Sequence, residues 1–209
     1  MTKAIVILAG GFSKRFGQDK CLIDLVGKPL VLHVVNRVSS VVDEKVIVSG
    51  SNALKEKLSN LLKSKIRVVV DKYEEQSPLV GALTGFESVN AEYSLLLPCD
   101  TPFVSAEIVA LLLDLCVNKC AVIPRWSNGY IEPLQAAYNR KSAIEAAKKA
   151  LNEGKRDLSS MINYLHGVRY VSTLVLQQLD SKLLTFFNVN TPEDLKKAES
   201  MLRKGKQFF

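Results

Sequence analysis

Several absences narrow the function of this chain before any motif is weighed. It has two histidines, His33 and His166, and its four cysteines (Cys21, Cys99, Cys116, Cys120) form no C-x-x-C pair. A structural zinc site needs closely spaced Cys/His pairs on two segments, so these thiols read as packing residues and nothing requires disulfides. Cys116 and Cys120 fall on a helix-to-strand passage, and Cys99 has no chemical role of its own. No run of about 18 apolar residues occurs, which argues against a membrane-spanning helix. Met1-Thr2-Lys3 leads straight into an apolar strand without a signal-peptide h-region, so a cytoplasmic protein is expected. No linker, repeat or low-complexity segment divides the chain, and one domain over residues 1–209 is expected.

A net charge of +7 raises the question of nucleic acid. The cations are dispersed, however, with groups at 55–65, 148–156 and 196–206 that alternate with acidic and apolar residues at helical spacing. Such faces are solvated. No aromatic-interleaved RNA-binding pattern and no recognisable DNA-reading helix stands out. A phosphate-bearing small molecule accounts for the basic balance equally well, so neither nucleic acid nor a membrane is expected as a partner.

Short apolar runs alternate with amphipathic stretches, a βαβ pattern. Strands are predicted at Ala4–Leu8, Lys45–Val48, Arg67–Val70, Tyr93–Leu97, Ala121–Pro124 and Pro133–Tyr138. Helices are predicted at Pro29–Ser39, Asn52–Leu62, Val80–Ser88, Ser105–Val117, Lys141–Asn152, Leu158–Tyr164 and Pro192–Arg203. Thr191 before Pro192 is a helix start, with Asp194 favourable in its first turn. Arg67-Val68-Val69-Val70 and Ser94-Leu95-Leu96-Leu97 are apolar at nearly every position, as parallel strands covered on both faces are. The fold expected is α/β: a mostly parallel, three-layer α/β/α sandwich. Its ligand should lie outside the carboxyl ends of the strands.

The most informative stretch follows the first strand: Leu8-Ala9-Gly10-Gly11-Phe12-Ser13-Lys14-Arg15-Phe16-Gly17-Gln18-Asp19-Lys20. Glycine backbone can approach a ligand closely because no Cβ intervenes, and amides with cations beside them cradle phosphate. The spacing fits neither the dinucleotide G-x-G-x-x-G nor the P-loop pattern. Arg15 offers a fork for two oxygens and Lys20 a point charge, whereas Lys14 is expected to be solvated. Asp19 either orients Lys20 or Arg15 through an ion pair or caps the loop.

This stretch, L-A-G-G-x-S-x-R-x-G-x-D-K, resembles the opening signature of the molybdenum cofactor guanylyltransferases, the MobA-type nucleotidyltransferases. Pro78-Leu79-Val80-Gly81, Leu97-Pro98-Cys99-Asp100-Thr101-Pro102-Phe103 and Asn188-Val189-Asn190-Thr191-Pro192-Glu193-Asp194-Leu195 extend the resemblance, in the family's order, over nearly the whole chain. It implies a Rossmann-like fold, with residues up to about 104 binding nucleotide and the remainder binding the acceptor. It also implies transfer of GMP from GTP to molybdopterin cofactor with release of pyrophosphate. Arg15, Lys20 and Asp100 become the catalytic candidates, with Asp100 as ligand of Mg²⁺, a hard ion that prefers carboxylate and phosphate oxygens. Leu8, Ala9, Gly10, Gly11, Lys20, Ser49, Asp71, Gly81 and Asp100 become the nucleotide-binding set.

Asp71 could accept from ribose hydroxyls or from guanine N–H groups. Ser49 stands where some relatives have asparagine, and Ser77 where the family often has glycine, which bears on base selectivity. Asn188 and Asn190 match the family's N-x-N-T-P ending and are assigned to metal or to acceptor phosphate, beside the positive end of the helix at Pro192. Glu132-Pro133-Leu134 and Gly154-Lys155-Arg156-Asp157 fall in the acceptor half, where Lys155 or Arg156 could meet a phosphate. Partners implied are GTP, molybdopterin cofactor and, transiently, proteins that make or receive that cofactor. The alternatives are a related nucleotidyltransferase using CTP or another phosphorylated acceptor, and a nucleotide-binding regulatory protein without turnover.

Overall fold

The computed structural model describes residues 1–205 except Lys14, Asp43, Ser64, Lys65, Glu74 and Glu75. Lys14 and residues 206–209 therefore lie outside the described residues. The strands are β1 (Lys3–Leu8), β2 (Phe12–Ser13), β3 (Gln18–Asp19), β4 (Glu44–Ser49), β5 (Arg67–Val70), β6 (Tyr93–Pro98), β7 (Ala121–Arg125), β8 (Ala137–Asn139) and β9 (Val168–Ser172). The helices are α1 (Leu30–Arg37), α2 (Asn52–Leu62), α3 (Pro78–Ser88), α4 (Ala106–Leu115), α5 (Arg140–Asn152), α6 (Leu158–Ile162), α7 (Thr173–Leu176) and α8 (Pro192–Gly205).

Seven strands form one sheet in the order β5-β4-β1-β6-β8-β7-β9. β8 runs antiparallel to both its neighbours, and the remaining pairs are parallel. Alternate residues of β1 serve two cores. Ile5 and Ile7 join side chains of α1, α2 and α4, whereas Ala4 and Val6 join those of α3, α5 and α6. Period-two alternation therefore places apolar side chains on both faces, giving the three-layer sandwich read from the sequence. No described helix is long and apolar enough to cross a membrane.

A third, smaller cluster comprises Ile23, Leu25, Leu30, Phe103, Val189 and Ala198. It joins the segment after the glycine loop, the segment after β6, and α8 with the turn that precedes it. These three pieces are remote in sequence, and their shared apolar contact brings them to one rim.

Two expectations need correction. The strand predicted at Pro133–Tyr138 is a 3₁₀ turn at Pro133–Gln135 followed by the short β8. Pro133 lacks an N–H and fixes φ, and its carbonyl accepts from the Tyr138 hydroxyl at 2.7 Å. Secondly, no strand is predicted between Leu8 and Lys20, yet the glycine loop holds two. Phe12–Ser13 and Gln18–Asp19 pair as an antiparallel hairpin, closed by bonds from Phe16 N and Gly17 N to the Ser13 carbonyl. Edge strand β9 and the short α7 were not anticipated: β9 buries only Val171, so it displays no apolar alternation.

α3 lies tight against the sheet because Gly85 has no side chain. A Cβ there would stand 2.2 Å from Val6 Cγ1. Alanine would gain about 1 kcal/mol in helix propensity, but overpacking costs about 1–3 kcal/mol, and a contact that short forces helix and strand apart. Gly85→Ala is expected to lower the denaturant midpoint. Gly81→Ala, whose Cβ would meet nothing nearer than 3.6 Å, is expected to leave it unchanged or raise it; equal midpoint losses for both variants would contradict this packing.

Candidate active site

A cleft of about 380 Å³ opens at the carboxyl ends of β1, β4, β5 and β6. Among the nucleotide-binding candidates, Leu8, Gly10, Gly11, Lys20, Ser49, Asp71, Gly81 and Asp100 line it. Ala9 does not. It is buried, and its N–H donates to the Val48 carbonyl at 2.8 Å, which fixes where the glycines leave the sheet. Gly11 has φ +111°, a conformation that favours glycine. The N–H groups of Gly10 and Gly11 have no hydrogen-bond partner among the described residues, so they are available to an anion.

Lys20 is the hub of the site. Its ammonium pairs with Asp100 Oδ2 and donates to Asn190 Oδ1 at 2.6 Å. Arg15, exposed at the hairpin tip, donates from Nη1 to the Asn190 carbonyl at 3.4 Å. Residues 80 and 170 positions from Lys20 in sequence thus meet on one cation. Asp100 leaves β6 buried, and its own carbonyl accepts from Val189 N at 2.9 Å. Asp194 bonds the N–H groups of Asn190 and Thr191 and the Thr191 hydroxyl, at 3.1, 3.0 and 2.9 Å. Burial opposes its ionisation, yet these bonds hold its carboxyl below the ordinary value. The result is a clamped helix start, with Thr191 Oγ1 accepting from Asp194 N at 3.1 Å.

Asp71 stands at the opposite wall. The Thr84 hydroxyl donates to its Oδ1 at 2.8 Å, and its N–H donates to the Ser49 carbonyl at 2.9 Å. Burial raises its carboxyl above the ordinary value, against the Thr84 bond and backbone bonds. Ser49 lines the cleft, and its hydroxyl is within reach of the Ser51 and Val69 carbonyls at 3.1 and 3.2 Å. Ser77 caps α3 by accepting from Val80 N at 3.2 Å.

Other residues fall elsewhere. Asp19 pairs with Lys57 at 3.7 Å, not with Lys20 or Arg15. Leu134 lines the cleft, whereas Glu132 accepts from Trp126 Nε1 at 2.7 Å, and burial raises its carboxyl. The 154–157 stretch does not line the cleft. Asp157 caps α6, and Arg156 donates to the Leu151 and Lys155 carbonyls at 3.3 and 3.0 Å. Cys99 does line it, but contact with Cys21 and burial push its thiol well above the ordinary range, so it stays protonated.

Sequence reading missed Gln76, which crosses from the loop before α3 to donate to the Gly50 carbonyl at 2.5 Å. It carries no motif that would have marked it. Thr84 was also missed, although it lies two turns along the same face of α3 from Ser77, where a partner for Asp71 could be sought.

Could the site hold a cation? Among the described residues, Asp100 Oδ1 and Asn188 Oδ1 are buried without a hydrogen-bond partner, as acceptors awaiting a ligand are. Among the described residues no group of three His, Cys, Asp or Glu is placed to hold a metal ion, so a hard ion here would draw on substrate oxygens as well.

The family model described as the MobA-like NTP transferase domain matches residues 5–168. A Methanosarcina mazei protein named "Probable molybdenum cofactor guanylyltransferase" is 33% identical, over 98% of this chain and 92% of its own length. One of the same name from Natranaerobius thermophilus is 34% identical, over 95% and 96%. The crystal structure of molybdopterin-guanine dinucleotide biosynthesis protein A from Archaeoglobus fulgidus superimposes with a TM-score of 0.83 at 28% identity, covering 96% of this chain and 99% of that one.

Ionised Asp71 costs stability because its native pKa lies above the unfolded one. The cost is absent well below pH 3.8, the ordinary value, and grows as pH rises through the native value. Asp71→Asn is therefore expected to unfold at higher denaturant than wild type at pH 7, with the advantage vanishing near pH 3. An advantage of equal size at both pH values would contradict this origin.

Proposed function

This chain belongs to the MobA-like NTP transferase family, and we propose that it transfers GMP from GTP to molybdopterin cofactor, releasing pyrophosphate. The observation that carries the assignment of roles is the meeting of Lys20, Asp100 and Asn190 beside unbonded glycine amides. In the reaction, an oxygen of the acceptor's phosphate attacks the α-phosphorus of GTP. The bond from that phosphorus to the bridging oxygen breaks in line, and pyrophosphate departs with the electron pair. The attacking oxygen is already anionic, so no strong base is required. The demand is to bring two polyanions together and to offset charge on the leaving group.

Lys20 and Arg15 meet that demand as cations, and the Gly10 and Gly11 amides as oriented dipoles. Leu8, Ser49 and Gly81 form the nucleoside walls, with the Asp71 carboxylate able to accept from ribose hydroxyls or guanine N–H groups. Ala9 fixes the departure of the loop. Asp100, with Asn188 and Asn190, is suited to hold Mg²⁺, which when bound would offset charge on the phosphates. The half up to about residue 104 supplies the nucleotide contacts, and Leu134 begins the acceptor side.

Purified protein with GTP, Mg²⁺ and molybdopterin cofactor is expected to form the guanine dinucleotide and pyrophosphate. Turnover with CTP but not GTP would overturn the base assignment. Asp100→Ala is expected to cut turnover by about 10²-fold or more, the scale for losing a preorganised electrostatic group, with an unchanged far-UV spectrum. Wild-type turnover in that variant would overturn its role.

A further inference from the structure

The Lys20 ammonium occupies the place among side-chain oxygens that suits a divalent cation. It holds Asp100 Oδ2 and Asn190 Oδ1, while Asp100 Oδ1 and, two residues before Asn190, Asn188 Oδ1 are buried and unbonded. One segment ends β6 and the other begins α8, and the Val189–Asp100 backbone bond ties them together. Two side-chain oxygens thus meet one ammonium, and two more, unbonded among the described residues, lie on the same two joined segments. The Lys20 and Asp100 side chains are 22% and 9% exposed, so water screens their attraction weakly.

We propose that Lys20 is a built-in competitor for the metal. In the protein alone its ammonium keeps Asp100 and Asn190 from a divalent ion, and the phosphates of the nucleotide draw it away, so that metal binds with the nucleotide and not before it. Two cations cannot share one carboxylate oxygen at contact distance without strong repulsion. The exchange needs only side-chain motion. Cys21, the next residue, is wholly buried and fixes the backbone, whereas the four-carbon lysine stem is flexible. Arg15, already on the Asn190 carbonyl, supplies a second cation toward which an incoming triphosphate is drawn. The proposal takes from the nucleotidyl-transfer reading only the identity of the anion that moves Lys20.

The test is Mn²⁺ titration of the protein without nucleotide or acceptor, free ion being counted by electron paramagnetic resonance. A close ammonium changes a carboxylate's proton affinity by about 10- to 1000-fold, and metal binding faces the same competition. Lys20→Met is therefore expected to bind one Mn²⁺ at least about tenfold more tightly than wild type. The gain should recur in Lys20→Gln, chosen in case the methionine variant folds poorly, and should vanish in Lys20→Met with Asp100→Asn. Equal affinity in wild type and both lysine variants, or a gain that survives loss of the Asp100 charge, overturns the proposal. A wrong base or acceptor would leave this titration untouched. Conversely, a protein that makes the guanine dinucleotide but shows no gain keeps its function and loses the competitor.

Discussion

The ammonium of Lys20 touches two oxygens that the chain delivers from far apart, and much of the architecture serves that meeting. Asp100 arrives from the end of a central strand; Asn190 arrives from the turn that opens the last helix. Neither position is held by the ion pair alone. A small apolar cluster including Ile23, Phe103 and Val189 sets the three segments side by side, and the Asp194 carboxylate clamps the backbone of Asn190. The ionic contact is thus placed by hydrophobic burial and helix capping. This matters because a part-buried pair is strong only when its geometry is fixed by something else.

The parallel sheet supplies the rest. Strand ends at Leu8, Ser49, Val70 and Pro98 bring the glycine hairpin, a carboxylate and a closely packed helix to one rim. Gly85 lets that helix approach, and Gly81 keeps its first turns open to the cleft. The two carboxylates at the rim differ in their surroundings. Asp71 is bonded by a hydroxyl and backbone N–H groups, and burial disfavours its charge; Asp100 faces an ammonium. One is set to accept hydrogen bonds, the other to meet cations.

Much of this was legible in the sequence, for identifiable reasons. Doubly apolar strands such as Arg67–Val70 announce a sheet covered on both faces, and the glycine-cation stretch after β1 marks the rim at which the cleft opens. Asp100 could be read as a site residue because it ends such a strand in a recognisable motif. What stayed hidden depends on contacts across the chain. The Asp19–Lys57 pair, the Gln76 span to Gly50 and the Thr84 support of Asp71 are tertiary facts with little local signature. Edge strand β9 was missed because solvent covers most of its side chains, and the 3₁₀ turn at Pro133 because its apolar residues mimic a strand.

We hold that the glycine hairpin, Asp100 and the Asn188–Asn190 segment form one triphosphate and metal site. The most direct measurement is a crystal structure with GTP and Mn²⁺, the metal located by its anomalous scattering. The expected map has a peak bonded to Asp100, with triphosphate on the Gly10–Gly11 amides and Lys20 turned onto phosphate oxygens. A metal distant from Asp100, or a triphosphate outside the hairpin, would contradict it.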